Sequence, residues 1–128
     1  MSRVSVESQQ APKAVGPYSQ ACRGSGGRTL YLSGQIPLDP RTGELVAGPP
    51  AAQAERCLEN LKAVLAAAGL DFSHVLRCTI YMTDLSHFGA VNEVYGRYFQ
   101  KPFPARATVQ VAALPKGAQV EIDAIAEL

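Results

Sequence analysis

The sequence predicts an α+β sandwich: one β-sheet with two α-helices packed on one face, in the order ββαβαββ. Three observations predict it. A long stretch with apolar residues at helical spacing lies between sets of alternating strands. A shorter helical stripe follows the third strand, and clusters of glycine and proline punctuate the chain between these pieces. The 128 residues read as a single domain, 1–128, enough to bury roughly two-thirds of the unfolded surface in one core.

Residues 1–10 are polar and are expected to form a loose N-terminal tip. Residues 19–23 and 28–33 (RTLYLS) pair as a hairpin around the Gly24-Ser25-Gly26-Gly27 turn. Residues 34–50 carry Gly34, Pro37, Pro40, Gly43, Gly48, Pro49 and Pro50, a density that means loop, with a short strand at 44–46. The first helix follows. Ala54, Cys57, Leu58, Leu61, Val64, Leu65 and Ala68 fall on one helical face, Pro50 suits the first turn, and Gly69 stands where a terminating glycine belongs.

Residues 75–82 then alternate as a strand, with Leu76, Cys78, Ile80 and Met82 on one face and Val75, Arg77, Thr79 and Tyr81 on the other. Asp84 or Ser86 caps a second helix from about residue 87 to 99, whose stripe is Phe88, Val91, Val94, Tyr95, Tyr98 and Phe99. Gly89 and Gly96 each cost it about 1 kcal/mol relative to alanine, so it depends on packing. The last third reads as a second hairpin. Ala105, Ala107, Val109 and Val111 alternate on one arm, and Val120, Ile122, Ala124 and Ala126 on the other, around a Leu114–Gly117 turn. Two helices cover one sheet face only. The other is assigned Thr79, Tyr81, Thr108 and Gln110, too apolar in parts for plain surface, and is expected to meet a partner subunit.

Composition narrows the function classes. Apolar residues are 47% and charged residues 18%, which excludes a disordered chain. Lys+Arg number 12 against 11 Asp+Glu, a net charge of +1 that removes the general electrostatic case for a nucleic-acid or membrane-surface protein. No apolar run approaches the ~20 residues of a membrane span, and nothing apolar follows Arg3 as in a secretory signal, so the expected compartment is the cytoplasm. Cys22, Cys57 and Cys78 are odd in number and widely spaced, and His74 and His87 lie thirteen positions apart. Neither a disulfide framework nor a metal site is expected.

No catalytic dyad is visible around either histidine, for which surface or capping roles are expected. Cys57 belongs to the core stripe. Ser33-Gly34 offers a hydroxyl and an uncluttered backbone N–H, read as the end of a strand at a sheet edge. Arg106 stands out. The stiff Pro102-Phe103-Pro104-Ala105 approach fixes where its strand begins, and it is read on the half-polar face beside Thr108. Such an arginine suits two-pronged recognition of a carboxylate or phosphate. A solvated strand arginine, or an ion pair with Glu121 or Asp123, fits the same pattern.

These residues belong to a wider pattern. Pro104-Ala105-Arg106-Ala107-Thr108-Val109, continued by Ala113-Leu114-Pro115-Lys116-Gly117 and Val120-Glu121-Ile122, resembles the signature of the YjgF/RidA (reactive intermediate deaminase) family. So do three further segments: residues 14–21 (AVGPYSQA), residues 32–37 (LSGQIP), and Asp84-Leu85 with Phe88 and Val91-Asn92-Glu93-Val94-Tyr95. The resemblance runs from about residue 11 to the C-terminus. It implies a chorismate mutase-like fold and a homotrimer with clefts between subunits. It further implies hydrolysis of small 2-imino acids, such as 2-iminopropanoate and 2-iminobutanoate, to 2-oxo acids and ammonia without metal or cofactor. By the same resemblance Arg106 binds the substrate carboxylate. Tyr18, Ser33, Gly34, Phe88 and Asn92 line the cleft, and Glu121 orients the attacking water. Thr108 stands where some members carry cysteine. It can hold a water but offers no thiolate, which puts thiol-dependent schemes in doubt.

Two other readings follow from the same family. One is an RNA-binding, endoribonuclease-type translation inhibitor, against which stand the net charge and the absence of a Lys/Arg run. The other is a non-catalytic small-molecule-binding or chaperone-like trimer that uses the same cleft without turnover.

Overall fold

A computed structural model describes residues 2–128. One mixed sheet has the strand order β1-β2-β3-β6-β4-β5. Its strands are β1 (Arg3–Val6), β2 (Ala21–Gly24), β3 (Thr29–Gln35), β4 (Val75–Met82), β5 (Ala105–Gln110) and β6 (Val120–Glu127). The helices are α1 (Pro50–Ala67) and α2 (Phe88–Gly96). Neighbouring strands are antiparallel except β4 and β5, which run parallel with α2 between them in sequence. A parallel pair needs such a crossover, because a short turn can only reverse the chain. The α+β class, with one sheet and two helices, is the one the sequence predicts. Among the described residues no helix is long and apolar enough to cross a membrane.

Helix α1 forms where the stripe predicts. Ala54, Cys57, Leu58, Leu61, Val64 and Leu65 are all fully buried. They pack in one cluster with Leu30 and Leu32 of β3, Cys78, Ile80 and Met82 of β4, and Val120, Ile122, Ala124 and Ala126 of β6. Each buried leucine stabilises the fold by roughly 1.5–3 kcal/mol relative to leaving it in water. Pro50 opens the helix. Gly69 closes it at φ +76°, with Gly69 N–H donating to the Ala66 carbonyl and Leu70 N–H to that of Leu65, both at 2.9 Å. That is a Schellman ending, and it needs the left-handed backbone that glycine adopts freely.

The structure corrects several details. Arg3–Val6 is not loose but forms β1, an edge strand on β2. The backbone ladder with β2 holds this strand, and the chain after it is held by Gln20, whose buried side chain accepts from Ser8 N–H at 2.6 Å and donates to the carbonyls of Ser8 (3.2 Å) and Pro12 (2.7 Å). These three bonds hold the backbone at Ser8 and Pro12 against the sheet. Residues 44–46 form no strand, only a single bridge between Leu38 and Leu45. Helix α2 is shorter than its stripe and ends at Gly96. A turn of 3₁₀ helix, Leu85–His87, precedes it, with Asp84 Oδ1 accepting from Ser86 N–H.

The largest correction concerns the C-terminal third. β5 and β6 are not a hairpin, since β4 lies between them. The linking segment is too long for a tight turn, and α2 delivers β5 to the outer edge of β4. In β4 itself the alternation slips. A bulge between Val75 and Arg77 buries Val75 and exposes Leu76, while Cys78, Ile80 and Met82 face the core as expected.

Asn60 is a fully buried amide on α1. Its Nδ2 donates to the Leu38 carbonyl at 3.0 Å, and its Oδ1 accepts from Arg56 Nε at 3.0 Å. It thus ties the loop after β3 to the helix. Asn60→Ala leaves a buried carbonyl unpaired and is expected to cost about 1–3 kcal/mol, read as a lower urea midpoint at unchanged slope.

Candidate active site

The sheet register sorts the candidate residues into two groups. Arg106 lies opposite Cys78, and Thr108 opposite Ile80. Both therefore share the helix-side face of the sheet, at the rim formed by edge strand β5. Glu121 lies opposite Tyr81, and Asp123 opposite Thr79, on the face that no helix covers. The sequence-based placement of Thr108 and Gln110 on the open face is thus reversed, as is that of Arg106. A strand's two faces alternate without saying which one the helices will cover, and here the parallel pairing with β4 decides it.

On the helix side, α2 presents Phe88, Asn92 and Tyr95 at i, i+4 and i+7, one continuous face. Arg106 Nη1 donates to Asn92 Oδ1 at 2.7 Å. The guanidinium carbon lies 5.3 Å from the Phe88 ring centroid and 4.9 Å from that of Tyr95, within cation–π range of both. A cavity of about 440 Å³ opens beside it, lined by Asn92, Tyr95, Phe103 and Arg106 among others. Arg106 makes no ion pair among the described residues. Glu121 and Asp123 are on another strand and the opposite face, so the ion-pair alternative does not occur within one chain. Behind Arg106 lies the Cys78 thiol, pushed up to about 11 by burial, a core group and not a nucleophile.

On the open side, β3 carries a bulge between Leu32 and Gln35 that contains Ser33 and Gly34. This pair lies inside an interior strand, not at a sheet edge as expected. The Ser33 hydroxyl donates to the Ser19 carbonyl at 2.6 Å, which fixes the turn carrying Tyr18. The Gly34 backbone presses against Glu121 so closely that a Cβ there would overlap the carboxylate. The absence of a Cβ at position 34 is what lets the carboxylate lie there. Tyr18, Ser33, Gly34, Lys116 and Glu121 line a second cavity of about 440 Å³, with Val15, Ile36 and Pro115 supplying apolar wall. A cavity of equal volume near Phe72, Tyr98 and Lys101 holds none of the candidate residues.

Burial holds the Glu121 carboxyl above its ordinary range, and the nearby Asp123 charge pushes the same way. Asp123 itself accepts from Tyr81 Oη at 3.0 Å and from Thr79 N–H at 3.2 Å. Glu121 accepts no hydrogen bond among the described residues. It is therefore a stronger base than a solvated carboxylate and free to take a proton from a bound molecule. The histidines serve their own turns: Asp71 N–H donates to His74 Nδ1 at 3.2 Å, and His87 Nε2 lies 3.6 Å from Asp84 Oδ2. Among the described residues no three His, Cys, Asp or Glu side chains converge on a metal position.

Residues 8–128 match the family described as Endoribonuclease L-PSP, the YjgF/RidA family. The chain belongs to this family. Protein DfrA of Myxococcus xanthus is 68% identical over 126 residues, covering 98% of this chain and 96% of that one. The 2-iminobutanoate/2-iminopropanoate deaminase of Mus musculus is 50% identical over 121 residues, covering 94% and 88%. The crystal structure of E. coli TdcF with bound serine superposes with a TM-score of 0.90 at 44% identity, covering 98% of each chain. RidA-family structures share the sheet and helices seen here, the chorismate mutase-like arrangement.

Of the RidA-type candidates, the fold gathers Arg106, Asn92 and Phe88 at one place and Tyr18, Ser33, Gly34 and Glu121 at another. Thr108 lies two residues along β5 from Arg106 on the same face, half-buried. Tyr95 and Lys116 are among the lining residues that the sequence does not single out. Tyr95 was absorbed into the apolar stripe of α2, though its spacing from Asn92 carried the signal. Lys116 was read only as turn. It adopts φ +58°, a left-handed backbone that a lysine rarely takes.

The atoms that a Cβ at position 34 would meet belong to the end of a flexible side chain. Gly34→Ala is therefore expected to fold with little change in thermal midpoint while swinging the Glu121 carboxylate outward. Better hydration should then lower the Glu121 titration midpoint relative to wild type, read by carboxyl carbon NMR.

Proposed function

We propose that this protein hydrolyses small 2-imino acids, such as 2-iminopropanoate and 2-iminobutanoate, to 2-oxo acids and ammonia. The observation that carries this reading is the pair of complementary half-sites: an arginine without a counter-ion and a carboxylate without a hydrogen-bond donor. An anionic, electrophilic substrate that needs one proton acceptor uses both. The deaminase name of the Mus musculus relative supports the reading, as does the serine held by E. coli TdcF, a small molecule with a carboxylate next to a C–N bond.

The half-sites face opposite sides of one sheet, so we further propose that they meet between copies of the chain. Each cleft of a homotrimer would take Arg106, Asn92, Phe88 and Thr108 from one subunit and Tyr18, Ser33, Gly34 and Glu121 from the next. The uncovered sheet face, with half-exposed Tyr31 and Val109 on it, is the surface such packing would bury.

In this scheme the Arg106 fork holds the substrate carboxylate by two parallel hydrogen bonds. The protonated imine carbon is already electrophilic, so no activated nucleophile is needed. Glu121 accepts a proton from a water, which Thr108 helps to hold by its hydroxyl. The water oxygen bonds to the imine carbon while the C=N π pair moves to nitrogen. Glu121 returns the proton to the amine of the resulting carbinolamine. The C–N bond breaks, the C–OH oxygen forms the carbonyl and releases its proton, and a 2-oxo acid and ammonium leave. Positioning supplies most of such a rate gain.

An RNA-cleaving reading finds no histidine acid–base pair at either half-site, since both histidines are engaged in turns of their own. A binding-only trimer differs from the enzyme by one result: 2-oxo acid would not appear faster when this protein is added to a dehydratase releasing the imine from serine or threonine.

In that coupled assay Glu121→Gln is expected to lower kcat about 100-fold or more with KM little changed. Arg106→Ala should lower kcat/KM by a factor of about 30 to several thousand, and Arg106→Lys should not rescue it, because lysine lacks the planar fork. The two defects should complement each other. Trimers reassembled from an equal mixture of Arg106→Ala and Glu121→Gln chains regain about a quarter of the clefts if each cleft spans two subunits. No recovery, or a monomer by light scattering, would overturn the shared cleft.

A further inference from the structure

We infer that Tyr95 is a positioning residue for Arg106, and that its ring, with that of Phe88, sets affinity for the substrate carboxylate. This rests on the reading of Arg106 as the carboxylate contact.

The argument starts from what holds Arg106 in place. A long, flexible arginine on an edge strand usually finds a carboxylate partner, and an ion pair would spend its charge before a ligand arrives. Here the nearest acidic side chains on the sheet, Glu121 and Asp123, point to the other face. The contacts that remain are all neutral: one amide oxygen, Asn92 Oδ1, and the faces of two rings. Rings hold the plane of a guanidinium without using its N–H groups. Nη1 is taken by Asn92, and the other donors stay free for the two-pronged grip a carboxylate needs.

Of the two rings, Tyr95 is the rigid one. Its side chain is 6% exposed, its ring stacks on Phe99 at 4.5 Å between centroids, and it lies nearer the guanidinium than Phe88 does. It also lines the Arg106 cavity directly. The hydroxyl plays no part in the grip. It is buried without a partner in hydrogen-bond geometry, beside the Cys78 thiol and away from solvent. Tyrosine at this position therefore acts through its ring, which separates this role from a structural hydrogen bond and from proton transfer.

The test compares Tyr95→Leu, Tyr95→Phe, Phe88→Leu and Arg106→Lys in the full-length protein. KM and kcat are measured for 2-iminopropanoate, and the Kd of the stable product analogue 2-oxobutanoate by calorimetry. Tyr95→Leu should raise KM and Kd by about 3- to 30-fold while kcat per folded site holds, and Tyr95→Phe should restore both. A partly unfolded preparation lowers kcat and the number of binding sites but moves neither KM nor Kd. If Tyr95→Leu does not fold, Phe88→Leu, at a half-buried ring, carries the same test with a smaller expected rise. Weakened binding in Arg106→Lys with unchanged binding in Tyr95→Leu and Phe88→Leu would overturn the positioning role and leave the deaminase reading standing. Equal losses in Tyr95→Phe and Tyr95→Leu would assign the effect to the hydroxyl and overturn it too. Unchanged binding in Arg106→Lys would remove the carboxylate contact itself, and this inference with it.

Discussion

The pairing of β4 with β6 decides where every chemically interesting group of this molecule points. It sets Tyr81 beside Glu121 and Thr79 beside Asp123, and so turns both carboxylates to the uncovered face. The same strand, through its parallel partner β5, sets Cys78 beside Arg106 and turns the guanidinium to the helices. A slip of one residue between β4 and β6 would exchange the faces and place an acid against the core, and one between β4 and β5 would turn Arg106 to the open face. The buried row of Cys78, Ile80 and Met82 against Val120, Ile122 and Ala124 prevents the first slip, because each side of the pair has a full apolar set to lose.

The separation of acid and base follows from that register, and it has an electrostatic benefit. Had Arg106 and Glu121 shared a face within one chain, they would neutralise each other. Apart, the arginine keeps its charge, and the carboxylate keeps the raised proton affinity that burial gives it. Gly34 extends the same logic. Removing one Cβ lets the β3 backbone close over the carboxylate and desolvate it without donating to it.

Much of this was legible in the sequence, and what was not has identifiable causes. The α1 stripe, its Pro50 start and its Gly69 stop are local features, and local features survive into the structure. The eight candidate residues of the RidA resemblance lie in motifs with fixed spacing, and the fold gathers them at two places rather than one. What failed was non-local. Alternation in 105–111 and 120–126 says that both are strands, but not that β4 is inserted between them. It likewise cannot say which face of β5 meets α2, so Arg106 and Thr108 were placed on the wrong side. Arg3–Val6 is anchored by its pairing with β2, and the chain that follows by Gln20, a polar side chain whose burial no periodicity announces.

The central position of β6 also has a consequence for how the molecule comes into being. β6 follows every other element in sequence, yet it bridges β3 and β4 in the middle of the sheet. During synthesis the first three strands can form a small meander, and β4, α2 and β5 can form a crossover unit. Only α1, which packs on β3 and on α2, links these two pieces until β6 emerges from the ribosome. Each then carries an open strand edge, the template on which stray chains add. Nascent-chain crowding is thus a hazard for this fold, and the closing step, joining β3 to β6 across most of the chain length, is the slow one expected of distant strand pairing.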